Sequence, residues 1–60
     1  MFPTFKVVWI FRNDHVWHKN FFTQNECYDF VNTTGLVSHP DIVRVTINDG
    51  DNERDLKRVG

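Results

Sequence analysis

Phe5 to Phe22, FKVVWIFRNDHVWHKNFF, alternates on both sides of an Asn-Asp pair, and this constrains the fold more than any other stretch of the chain. A side-chain period of two belongs to strands. Asn13 and Asp14 are residue types that accept the left-handed backbone angles of a tight hairpin turn. The segment predicts two antiparallel strands, Thr4–Arg12 and His15–Phe22, joined by a two-residue turn at Asn13-Asp14. With Arg12 opposite His15, Phe11 faces Val16, Trp9 faces His18, Val7 faces Asn20 and Phe5 faces Phe22. On the other side Ile10 meets Trp17, Val8 meets Lys19 and Lys6 meets Phe21. One more residue in the loop would send every side chain of the second strand to the opposite face.

After the hairpin comes TQNE, Thr23 to Glu26, a capping box in which the Thr hydroxyl and the Glu carboxylate satisfy the first turn of a helix. Phe22 and Cys27 occupy the positions of a hydrophobic staple. Cys27, Phe30, Val31 and Thr34 recur at helical spacing and predict the buried stripe. Glu26 and Asp29 complement the dipole, and Gly35 ends the helix. SHPD, Ser38 to Asp41, reads as a turn, because Pro40 cannot continue a helix. Ile42 to Asn48 predicts a third strand with Val43, Val45 and Ile47 on one face and Ile42, Arg44 and Thr46 on the other. DGDNERDLKRVG, from Asp49 onward, reads as a charged tail or as a turn leading into a weak fourth strand.

The fold class this order predicts is α+β, a small β-β-α-β domain over residues 1–48 with 49–60 as tail or extra strand. A right-handed crossover lays the third strand antiparallel beside the first. The sheet is then three-stranded in the order 2-1-3, with the helix on one face. Phe5, Val7, Trp9, Phe11, Val16, Phe22, Val43, Val45 and Ile47 should lie beneath that helix, with Leu36 and Val37 closing one end.

Sixty residues make one domain, and a domain this size buries only about 60% of the surface its unfolded chain exposes. Of the usual supports for so small a core, a disulfide, a metal or association with another chain, an internal disulfide is excluded because Cys27 is the only cysteine, and association becomes the leading one. A formal charge of -1 and a pI near 6.2 argue against a generally basic nucleic-acid binder. No apolar run approaches the roughly 18 residues of a membrane span, and MFPTFKVV does not read as a signal peptide. The expectation is a cytoplasmic domain with no membrane partner.

The face left uncovered by the helix is expected to hold Lys6, Val8, Ile10, Arg12, His15, Trp17, Lys19, Phe21, Ile42, Arg44 and Thr46. That is a basic and apolar surface without an acid, where antiparallel sheets normally turn a polar face to water. A protein partner suits its Trp and Arg among lysines. A homodimer packed sheet on sheet would repair the small core. Single-stranded nucleic acid could stack on its rings, and the tail, through Leu56 and Val59, could cover it internally. The residues predicted to contact a partner are Lys6, Ile10, Arg12, Trp17, Lys19, Phe21 and Arg44.

The residues that could carry chemistry are better explained otherwise. His15 and His18 fall on opposite faces of a strand, which separates them as metal ligands. Cys27 sits on the helix stripe beside Glu26, the environment of a core cysteine and not of an activated thiol. His39 precedes Pro40 in a turn. DGDNE, Asp49 to Glu53, lacks the glycine and glutamate positions of a calcium loop. No catalytic residue, cofactor or metal is expected.

KNFFTQNECYDFVN followed by HPDIVRVTI resembles very short phage-encoded accessory proteins of the host-takeover or anti-defence kind, over Phe5 to Asn48. In those proteins a hairpin leads through an FFT-like cap into one helix and then a strand of the hPdVxxVxI type. The resemblance implies a non-catalytic module that binds a host protein in the host cytoplasm and inhibits or redirects it.

Overall fold

The computed structural model describes residues 5–50 and 52–59. Thr4, the expected start of the first strand, and Asp51, in the expected turn after Asp49, lie outside the described residues. Five elements follow in chain order: β1 (Phe5–Phe11), β2 (Val16–Phe21), α1 (Gln24–Thr34), β3 (Ile42–Asn48) and β4 (Glu53–Arg58). All neighbouring strands are antiparallel, and one open sheet runs β2-β1-β3-β4. The fold is α+β as expected. The sheet order differs from the three-stranded one because β4 adds itself outside β3.

The hairpin turn is where sequence and structure part. The Phe11 N–H donates to the His15 carbonyl at 2.8 Å, and the Asp14 N–H donates to the Phe11 carbonyl at 2.9 Å. The loop is therefore Arg12-Asn13-Asp14, a three-residue turn closed by Asp14 in the left-handed region at φ 70°. Asn13 Oδ1 accepts the His15 N–H at 3.3 Å and helps hold it. The extra loop residue shifts the register, pairing Trp9 with Trp17, Val7 with Lys19 and Phe5 with Phe21. Every side chain of β2 changes face relative to the two-residue expectation.

The helix forms as the sequence predicts. Thr23 Oγ1 accepts from the Glu26 N–H at 3.2 Å and donates to the Glu26 carboxylate at 3.0 Å. Gly35 takes φ 66°, and the Gly35 and Leu36 N–H groups return to the Val31 carbonyl at 3.0 and 3.3 Å. Of the expected stripe, Cys27 and Val31 are buried and Phe30 is half-buried, whereas Thr34 is exposed and donates to the Phe30 carbonyl at 2.6 Å.

The core consists of Val7, Phe21, Cys27, Val31, Leu36, Ile42, Val45 and Ile47, with Phe5, Trp9, Phe11, Tyr28, Phe30 and Leu56 packed against it. Each fully buried Val or Ile contributes roughly 1.5–3 kcal/mol of transfer free energy. Four expected core positions are corrected. Val16 and Phe22 are more than half exposed, at 58% and 52%, because the register turns Val16 outward and Phe22 lies beyond β2. Val37, at 40% exposed, does not close the end that Leu36 closes. A bulge opposite Ile10/Phe11 makes Val43 the extra residue, half-buried, and rotates Ile42 into the core.

Candidate functional site

Register determines what each face of the sheet offers. Phe30 of α1 stacks at a tilt on Trp9 and Phe21, with centroids 5.4 and 5.3 Å apart, so the odd-numbered residues of β1 and β2 lie on the helix side. The open side then holds Lys6, Val8 and Ile10 of β1, Val16, His18 and Asn20 of β2, and Arg44, Thr46 and Asn48 of β3. Glu53, Asp55 and Arg58 of β4 complete it, opposite Asn48, Thr46 and Arg44.

This surface differs from the expected one in two respects. Trp17, Lys19 and Phe21, three of the expected contact residues, lie on the helix side because of the longer hairpin loop. Phe21 is part of the core, 9% exposed. Lys19 bends inward, its Nζ 5.7 Å from the Phe21 ring centre and 5.2 Å from that of Phe30. Trp17 remains 57% exposed. Arg12 is in the hairpin loop, not on the face, and its guanidinium donates to the Pro40 carbonyl at 3.0 Å. Lys6, Ile10 and Arg44 stay on the open side as expected.

The second difference is electrostatic, because β4 brings acids onto the face. Asp55 Oδ1 accepts from the Thr46 hydroxyl at 3.0 Å and from Arg44 at 3.4 Å, while its other oxygen lies 3.9 Å from Arg58. Glu53 stands 3.9 Å from Arg44. The Thr46 hydrogen bond, aided by the Arg44 and Arg58 charges, holds the Asp55 carboxyl below its ordinary range despite some desolvation. Thr46 itself is 5% exposed beneath these side chains. Nothing in the sequence of β3 signals this network; the signal is the alternation of Glu53 and Asp55 with basic neighbours, once the fourth strand offered as an alternative to a tail is paired with β3.

The open face thus divides in two. Its β3–β4 half is a polar lattice in which Arg44 is matched by acids. Its β1–β2 half is an aliphatic cluster, half-buried Val8 and Ile10 beside exposed Val16, bordered by Lys6, His18 and Asn20. No Phe, Tyr or Trp belongs to it among the described residues; Trp17 and Phe21, the rings expected on this face, lie on the helix side.

Among the described residues, two depressions lie away from this face. One, of about 270 Å³, is lined chiefly by Gln24, Tyr28, Asp49, Asn52 and Arg54. There the Arg54 guanidinium donates to the Tyr28 hydroxyl at 3.1 Å, tying β4 to α1. The other, of about 360 Å³, lies between Phe11, Arg12, Asn13 and Asp41. Neither contains Cys27, which is fully buried; burial foremost, and then the Glu26 charge, push its thiol up and keep it protonated. His15 precedes β2 and His18 lies on its open side, and no cluster of three or more His, Cys, Asp or Glu suited to a metal occurs among the described residues. Among those residues no helix is long and apolar enough to cross a membrane.

Compared with protein-family models, curated proteins and solved structures, the chain matches none.

Proposed function

We propose that the chain is a non-catalytic protein-binding module that engages its partner through the β1–β2 half of the open sheet face. The observation that carries this reading is the aliphatic cluster of Val8, Ile10 and Val16, on a side of the sheet that α1 does not cover. Apolar groups set together on a small domain and rimmed by polar residues usually mark a contact surface. Lys6 at one border fits a partner with an acidic rim around an apolar centre. Following the resemblance to phage accessory proteins, that partner is a host protein and the mode of action is occlusion of its surface.

Val16→Asp tests the reading, since Val16 is exposed and its replacement leaves the core untouched. In affinity capture from host lysate, the wild type should retain a partner that Val16→Asp binds at least about tenfold more weakly, or about 1.4 kcal/mol. A control substitution on the helix surface, Asp29→Asn, should retain it fully. A partner held equally by Val16→Asp and the wild type removes the open face from the interaction.

A further inference from the structure

We propose that the outer edge of β2 pairs antiparallel with β2 of a second copy of this chain, joining two four-stranded sheets into one. The proposal goes beyond the open-face reading and does not depend on it. Its starting point is the hydrogen-bond pattern of the hairpin. Phe11 and His15 form a bonded pair, and in an antiparallel ladder bonded and non-bonded pairs alternate. Trp17 and Lys19 therefore exchange their backbone bonds with β1. Val16, His18 and Asn20 aim their N–H and C=O groups away from β1, where β2 has no neighbouring strand among the described residues. The Arg12 N–H, which donates to the Asp41 carbonyl at 2.7 Å, has the same parity on the β3 side and supports the assignment.

Exposed edges are normally blunted by proline, a bulge or outward charges. β2, VWHKNF, has no proline, and the two register shifts of the sheet lie between β1 and β3 and between β3 and β4. Its one lysine, Lys19, is drawn back over Phe21 and Phe30 instead of guarding the edge. Trp17 and Val16 flank that edge on its two sides, 57% and 58% exposed.

The occupant follows from the strand's match to itself. A two-fold axis at His18 pairs the outward groups of Val16 with Asn20 of the second copy, and His18 with its own counterpart, forming about six hydrogen bonds. In that register the only formal charge of the strand, Lys19, stands opposite the second copy's Trp17 and away from any like charge. A shift of two residues one way sets Lys19 against Lys19, and the other way sets it against His15 and shortens the overlap. The axis is perpendicular to the sheet, so both helices lie on one side. The two Val8-Ile10-Val16 clusters then lie on the other, with the His18 and Asn20 side chains of both copies between them.

Sedimentation equilibrium from about 5 to 500 μM, a range suited to a micromolar association, should show the wild type passing from monomer to dimer. His18→Pro should remain monomeric throughout. A proline at His18 deletes only an outward N–H, which edge strands tolerate, so its circular dichroism should stay native while its dimer constant weakens at least about tenfold. Under mild oxidation His18→Cys should cross-link, because bonded partners stand about 5.5 Å apart at Cα, within disulfide range. Asn20→Cys, which faces Val16 of the second copy, should not, and buried Cys27 should not compete. A wild type monomeric at the highest concentration, or cross-linking as fast through Asn20→Cys as through His18→Cys, overturns the proposal and leaves the open-face reading standing.

Discussion

The two edge strands of this sheet meet water in opposite ways. β4, ERDLKR, is charged at five of its six positions, and a bulge in its pairing with β3 disturbs its regularity. Its side chains are spent on neighbours: Asp55 on Thr46 and Arg44, Arg54 on Tyr28, and Lys57 on the His39 carbonyl at 2.8 Å. β2, VWHKNF, has a single formal charge and is regular, and of its side chains only Phe21 is buried. β4 is thus held by polar bonds and protected from further pairing, whereas β2 is anchored at one end by an aromatic ring and left open along the rest. Edge strands can be stabilised without being closed, and the residues that perform the two tasks are different ones.

This contrast can be broken at its strongest point by Phe21→Ala. The ring that fixes β2 to Phe30 would be lost at a cost of about 3–5 kcal/mol, comparable to the whole stability of a chain this size. Urea denaturation should show a largely unfolded protein; a midpoint close to wild type would mean that β2 is not hung from α1. Leu56→Ala should cost less, about 1–2 kcal/mol, because this only apolar side chain of β4 is half in water. A loss as large as that of Phe21→Ala would make β4 an apolar anchor too and erase the distinction.

The smallest effect concerns pH. The folded Asp55 carboxyl titrates below its unfolded value of 3.8, so its stabilisation is present above that value and fades as pH falls through the folded one. Melting temperature should therefore decline below about pH 4, and Asp55→Asn should flatten that decline while changing stability little above pH 6, as for an exposed pair. An identical acid limb in Asp55→Asn would show that the polar lattice on β4 contributes nothing in solution.

Much of this architecture could be read from local sequence. Thr23 and Glu26 start the helix and Gly35 stops it, since caps act through side chains within one turn of the backbone they satisfy. The inward set of β1 was legible from alternation alone, and Val45 and Ile47 of β3 likewise. Cys27 was legible as a core residue from helical spacing. Of the candidate contact residues, Lys6, Ile10 and Arg44 were assigned to their true face, because β1 and β3 each bury one side. Trp17, Lys19 and Phe21 were not. In β2 both alternating sets contain large apolar side chains, so hydrophobic pattern cannot choose between them.

By itself, then, the sequence determined the first three strands, the helix and which side of β1 is buried, since those follow from the period of its apolar residues and the chemistry of its caps. Only the tertiary structure decided the facing of β2 and the charge of the open sheet. The first depended on whether Asp14 would take a left-handed conformation and add one residue to the hairpin loop. The second depended on whether a charged tail would find β3. Both are differences of about 1 kcal/mol or less in local preference. They are settled when Phe21 finds Phe30, and Asp55 finds Thr46, in the assembled sheet.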